Sequence, residues 1–180
     1  RIVDLGCGTG GVTRLIVDRL QVYRQSVVYA IDHSAGAIRQ AISELGDRRD
    51  AAVKFIQGDV ASLSEMIKEK VDAVVFCNSI HYQADKESLI QQIKNALRPG
   101  GTFSFNTSFF EGGHPPESHE FYRRWMMRSL RILRREYGLR AVRSKKVESR
   151  RQLTADEYSE LVEAQGFKVV KRDVTKVDVP

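Results

Sequence analysis

The stretch RIVDLGCGTGG, residues 1–11 of a 180-residue chain, sets an acid, Asp4, among β-favouring residues directly ahead of four glycines. Glycines placed there let the backbone turn sharply and come close to a ligand. Two spacings compete. Gly6, Gly8 and Gly11 match G-x-G-x-x-G, the spacing of a dinucleotide loop that seats a pyrophosphate on a helix N-terminus. Alone, that spacing is a weak signal. Asp4, Gly6, Gly8 and Gly10 match acid-x-Gly-x-Gly-x-Gly, and this second spacing accounts for the acid. A carboxylate in the turn repels a pyrophosphate and suits a ligand carrying an ammonium group. Two further acids stand in comparable places. Asp32 closes YAID, where a carboxylate can accept from ribose hydroxyls, and Asp59 lies in FIQGDV, where one suits an adenine amino group. Asp59 reads equally well as a turn or cap residue.

The elements that must position these residues alternate between strand and helix. RIVDLG, SVVYAID, VKFIQGD, VDAVVFCNSI and TFSFNTSFF read as five strands, the fourth apolar enough to be buried on both faces. Between them lie helical runs. GVTRLIVDRL sets Val12, Leu15, Ile16 and Leu20 on one side, SAGAIRQAISEL starts on Ser34 as N-cap, and SLSEMIKEK and DKESLIQQIKNAL follow. RPGG stops the last of these helices with a tight turn. Five such alternations with short joints predict an α/β fold, a doubly wound, mainly parallel sheet with helices on both faces. After the fifth strand the rhythm breaks. EGGHPPE is a loop, and a long amphipathic helix follows with Tyr122, Met126, Leu130, Leu133 and Tyr137 as an apolar stripe. Packing of that stripe into the core is the expected use of such a pattern. Thr154 and Glu157 form a capping box for a further helix, Gly166 stops it, and residues 167–179 read as a strand.

The chain is long enough for one domain with a sizeable core, and 42% of its residues are hydrophobic. No apolar run approaches the ~20 residues a membrane helix needs, so no transmembrane segment is expected. Cys7 and Cys77 lie in apolar contexts and read as reduced thiols of a cytoplasmic protein. No Cys/His grouping has metal-ligand spacing, so no metal is expected. The net charge is +6, yet residues 118–151 alone hold twelve Lys/Arg against three Glu, which leaves the remainder mildly acidic. A basic segment of this kind is a solvated face or a meeting point for an anionic partner.

VDLGCGTG, YAIDHS, FIQGDV, VDAVVFCNSIHY, ALRPGG and TADEYSELVEAQGFKVV follow one another in an order and spacing that resembles the class I S-adenosylmethionine-dependent methyltransferases, small-molecule type. The resemblance covers the chain except residues 107–151. It implies a Rossmann-like fold over residues 1–180, truncated at both ends, with 111–151 as a helical, basic insertion after the fifth strand. It implies that S-adenosyl-L-methionine is the cofactor and S-adenosyl-L-homocysteine the product. The loop Asp4, Gly6, Cys7, Gly8 and Gly10 would embrace the methionine part. Asp32 would hold the ribose and His33 would lie against the adenine. Asp59 with the Val60 backbone would bind the adenine edge, and Asn78 would line the methionine and substrate side.

In-line methyl transfer asks mainly for alignment and exclusion of water. Where the nucleophile must lose a proton, His81, just past the fourth strand, is the candidate base, and shaping the pocket is its other reading. Tyr82 and Trp125 are the substrate candidates, with His114 and His119 beside the GGHPPE loop within reach. Residues 112–137 suit a lid over a small-molecule acceptor, apolar or anionic, or one held by a carrier protein. Three alternatives stand beside this. An RNA methyltransferase is prompted by the basic segment, but NSIH stands where a base-methylating enzyme would carry an Asn-Pro-Pro-Tyr-like motif, so nucleic acid is not expected. The others are a non-catalytic cofactor-binding module and an NAD-binding dehydrogenase.

Overall fold

The computed structural model describes residues 1–20, 26–46, 52–139 and 152–175. Five strands form one parallel sheet in the order β3-β2-β1-β4-β5: β1 Ile2–Leu5, β2 Val27–Asp32, β3 Ala52–Gln57, β4 Val71–Cys77 and β5 Leu97–Asn106. The order reverses at β1, which pairs with β2 through Ile2 and Val28 and with β4 through Ile2 and Ala73. In open α/β sheets that reversal opens a crevice at the carboxyl ends of the strands, where ligands bind. The glycine loop sits at that crevice.

The helices cover the sheet by their apolar stripes. Helix α2, Ala35–Leu45, buries Ile38, Ala41 and Leu45, and its N-cap Ser34 accepts from the Ala37 amide at 3.3 Å. Helix α4, Lys86–Ala96, starts on Asp85, which accepts from the Ser88 amide at 2.9 Å, and buries Leu89, Ile90 and Ile93. Helix α6, Ala155–Ala164, begins with the expected capping box of Thr154 and Glu157 and buries Tyr158 and Val162. The main core joins Val3, Leu5 and Ile31 of the central strands to Phe76 of β4 and to these α4 and α6 faces. A smaller cluster of Cys7, Ala30 and Ile38 lies under α2.

Several expectations need correction. Helix α1, Gly11–Val17, is shorter than its apolar pattern suggests, and it buries Thr13 and Val17 while Leu15 stays 64% exposed. The helical run after β3 divides into a 3-10 turn, Val60–Ser62, and the short helix α3, Leu63–Met66. Strand β4 is fully buried at Val71, Val74 and Phe76 only, so one of its faces is less covered than its composition implies. RPGG does not separate α4 from a strand; it lies inside β5 as a register shift, with Gly100 at φ +75°, between the pairs Val71–Leu97 and Ala73–Thr102. Residues 167–175 are not in a strand, and 176–179 lie outside the described residues. The long helix α5, Pro116–Glu136, forms as expected, but its stripe is not core: Tyr122, Met126, Leu133 and Tyr137 are exposed and only Leu130 is half-buried. The basic stretch 140–151 lies outside the described residues. Among the described residues, no helix is long and apolar enough to cross a membrane.

Candidate functional site

The turn after β1 is built from left-handed glycines. Gly6, Gly8 and Gly10 have φ of +68°, +55° and +91°, a region L side chains rarely enter. The Cys7 amide donates to the Ile31 carbonyl at 2.9 Å and the Gly10 amide to the Cys7 carbonyl at 3.0 Å. The Gly8 amide donates to Asp32 Oδ2 at 2.9 Å, and the Ser34 amide to Asp32 Oδ1 at 2.8 Å. One carboxylate at the end of β2 therefore ties the glycine loop to the start of α2. A carboxylate offers about four lone-pair sites, so two bonds leave Asp32 with capacity for hydroxyl donors.

Asp4 is buried rather than presented to the cleft. Only 1% of it is exposed, and Thr13 Oγ donates to its Oδ2 at 2.6 Å. Burial, and secondarily the Asp32 charge, push its carboxyl up to about 6, against the opposing pull of Thr13. The Cys7 thiol is pushed up to about 12 by burial, then by the Asp4 and Asp32 carboxylates, so it is not a nucleophile at neutral pH. Asp4 thus acts as a fixed charge behind the loop, felt through it. Thr13 was not anticipated; the available signal was a hydroxyl on a helix face that must be buried.

The ends of β4 and β5 are cross-braced. Asn78 has φ 48°, and its Oδ1 accepts from the Ser108 amide at 3.0 Å and the Ser108 hydroxyl at 2.9 Å. Its own amide donates to the Asn106 side chain at 2.7 Å. His81 is 8% exposed, and its Nδ1 meets Thr107 Oγ at 3.0 Å while Nε2 is buried without a partner. Because the Phe109 amide already donates to Thr107 Oγ at 3.0 Å and the hydroxyl faces the Phe109 carbonyl, we assign the proton to Nδ1 and the lone pair to Nε2. Burial, and then Lys86, hold the imidazole below its ordinary pKa and so neutral. The rings of Tyr82 and Phe109 flank it with centroids at 4.0 and 4.5 Å. Thr107, like Thr13, escaped the sequence reading.

The other candidates are dispersed around this centre. Asp59 is exposed and caps the following 3-10 turn by accepting from the Ala61 amide at 2.9 Å; Val60 is buried beside it. The imidazole of His33 is 83% exposed, with Nδ1 3.5 Å from Asp32 Oδ1. Tyr82 is exposed on the rim. Trp125 stands on α5, and His114 contacts Tyr122 and His119 edge-on at the start of that helix. The crevice therefore gathers Asp4, Cys7, Gly8 and Asp32 at one point and Asn78 and His81 at the next, while Trp125 belongs to a separate arm.

A nucleoside with a cationic tail fits these residues. A Cβ at Gly8 would meet nothing within 4 Å, so the loop leaves open space at the amide tied to Asp32. The buried Asp4 adds a negative field behind that space.

A family model described as a methyltransferase domain matches residues 3–103. The chain is 36% identical over 105 residues to the Saccharomyces cerevisiae protein named "Probable S-adenosylmethionine-dependent methyltransferase CRG1", covering 58% of this chain and 34% of that one. It is 35% identical over 102 residues to trans-aconitate 2-methyltransferase of Methylobacterium nodulans, covering 56% and 35%. It is 32% identical over 111 residues to malonyl-[acyl-carrier protein] O-methyltransferase of Halalkalibacterium halodurans, covering 59% and 38%. The chain thus spans little more than a third of the length of these curated relatives. Among solved structures, the methyltransferase in a complex with the Haloferax volcanii Trm112 activator shares the fold, with TM-score 0.66, 22% identity, and 99% of this chain and 67% of that one covered.

Proposed function

The chain belongs to the methyltransferase domain family, and on that premise we propose that it is the cofactor-binding core of an enzyme that transfers a methyl group from S-adenosyl-L-methionine to a carboxylate of a small or carrier-bound acid. The observation that carries the cofactor half is the Asp32 carboxylate, which holds the Gly8 amide at 2.9 Å beside open space. The acceptor half is supported by two relatives whose named substrates, trans-aconitate and a malonyl group, are both carboxylic acids.

In this proposal Gly8 and its neighbours let the loop backbone approach the methionine portion, and Asp32 accepts from the ribose hydroxyls. Asp59 and the Val60 backbone take the adenine edge, with His33 against its face. Asn78 braces the floor on which the acceptor lies. When bound, the cofactor would supply a methyl group on a sulfonium for in-line transfer to a carboxylate oxygen, with S-adenosyl-L-homocysteine as the neutral leaving product. A carboxylate carries no proton at neutral pH, so this transfer needs no base. That suits His81, whose lone pair is sealed away; it is a positioning residue that joins the β4 and β5 ends through Thr107.

Asp32→Ala is expected to weaken S-adenosyl-L-methionine binding by about 1.5–3 kcal/mol, the range for hydrogen bonds to a charged group. Calorimetry on the folded variant measures it, and unchanged affinity counts against the cofactor site. The acceptor is tested with cofactor labelled in the methyl group. A carboxyl methyl ester releases volatile methanol in mild alkali, whereas alkali-stable product identifies a nitrogen, carbon or ether-oxygen acceptor and overturns the carboxylate assignment.

A further inference from the structure

Helix α5 holds a surface that the methyl-transfer reading leaves unused. Over its 21 residues, about 30 Å of helix, an apolar arc and an arginine stripe lie side by side, with Met127 among the arginines and Glu136 at the C-terminal end of the arc. Phe121, Tyr122, Trp125, Met126, Ile132 and Leu133 fall within one broad arc, and all six are exposed, Trp125 by 55% and Phe121 by 62%. Arg124, Arg128, Arg131 and Arg135 recur at i, i+4, i+7 and i+11 in a stripe that flanks this arc, its centre about 120° round the helix at 3.6 residues per turn, also exposed. Arg123 and Arg134 lie at one border between the two faces. No other element described here packs closely enough on α5 to cover the apolar arc.

A soluble helix with this pattern normally hides its apolar face in its own core. Here that face is outward. A coiled-coil partner asks for a narrow apolar seam, whereas the six side chains of this arc span roughly 140° of the circumference at 3.6 residues per turn. A nucleic acid would use the arginines and leave Trp125, Met126 and Ile132 in water. A bilayer interface satisfies both faces together. The aromatic and aliphatic side chains enter the boundary between headgroups and acyl chains, and the arginines extend their stems back to anionic phosphates. The sign of the charge selects the lipid: six arginines against three glutamates on α5 favour an anionic leaflet over a zwitterionic one.

We propose that α5 is an interfacial helix that seats the protein on an anionic phospholipid surface, its apolar arc in the membrane and its arginines among the headgroups. This inference does not rest on the methyl-transfer reading.

The sequence holds a single tryptophan, Trp125, in the middle of the arc, and it reports directly on docking. Vesicles of phosphatidylcholine with phosphatidylserine should shift its emission to the blue, shield it from an aqueous quencher and sediment the 180-residue chain. Phosphatidylcholine alone should bind roughly tenfold more weakly or less, and added salt should narrow that gap. Met126→Glu should abolish sedimentation, and Arg128→Glu with Arg131→Glu should remove the preference for phosphatidylserine. Both sets change exposed residues, so circular dichroism and melting should be unaltered. Calorimetry with S-adenosyl-L-methionine on the same variants should be unchanged, which separates failure of docking from failure of the cofactor site. Four results overturn the proposal: no emission change with anionic vesicles; sedimentation that survives Met126→Glu; blue, shielded emission without vesicles, with or without a doubled mass, which assigns the arc to the acceptor site or to a second copy; and retention on single-stranded RNA in preference to vesicles.

Discussion

Asp4 holds its proton to an unusually high pH because burial, and secondarily the Asp32 charge, outweigh the opposing hydrogen bonds from Thr13, and this makes the site sensitive to acid. A carboxyl whose pKa rises on folding stabilises the native state while protonated. Asp4's contribution, about 3 kcal/mol for a shift from 3.8 to about 6, is present below about pH 4 and lost as pH rises through 6. A cationic ligand reverses the preference, since it favours the charged carboxylate. Cofactor affinity should therefore climb between about pH 4 and 6 and level off above. Asp32 and the neutral thiols of Cys7 and Cys77 are the other titratable groups that face this carboxyl. Asp4→Asn should flatten both profiles, in melting and in calorimetry alike; profiles that keep their shape locate the titration elsewhere. At this scale the sequence was legible in part. Asp4, Gly8 and Asp32 announce themselves by residue type beside glycines and strand ends. Their partners Thr13 and Thr107 do not, because a hydroxyl's importance depends on what buries it, and that is decided by residues far along the chain.

The glycine turn separates two effects that spacing alone merges. A Cβ on Gly10 would lie 3.0 Å from Leu45 and 3.2 Å from Ala41, whereas one on Gly8 would point into open space. Both positions have positive φ, which costs an alanine about 1–2 kcal/mol. Gly10→Ala should thus lose more stability than that, through collision of the turn with α2, and Gly8→Ala should lose little more than the backbone term yet bind the cofactor poorly. Denaturant midpoints and calorimetry on the pair decide it; equal stability losses, or an unimpaired Gly8→Ala, contradict this division. Elements with strong local signals were read correctly: the Ser34 cap of α2 and the Thr154–Glu157 box of α6 depend on neighbours in sequence. The misread ones depend on tertiary context. RPGG has the residues of a turn, but pairing of Leu97 with Val71 draws it into β5 as an irregularity. The α5 pattern is that of a core-facing helix, and periodicity carries no information about whether a core is there to receive it.

Across the molecule, stability should fall from the sheet centre outward. Strands β1 and β4 are flanked on both edges and carry Val3, Leu5, Val74 and Phe76 at 0% exposure. Their amides should exchange only by global unfolding, while α5, with its side chains in water, should exchange through local opening. Cofactor should slow exchange at residues 5–11 and 32–34 and leave α5 unchanged; slowing along α5 instead would mean that the helix closes over the site. Sheet order β3-β2-β1-β4-β5 has a further consequence for how the chain finds its fold. Every pairing in the sheet is parallel, so no two-residue hairpin can start it, and residue 2 must wait for residues 28 and 73 before its strand is flanked. Loop closure precedes reward at each step, which predicts slow assembly for a chain this size. During that interval the apolar edge of β1 is open to any other strand. The segment that later cradles a ligand is, before the fold is complete, the one most apt to join a neighbouring chain.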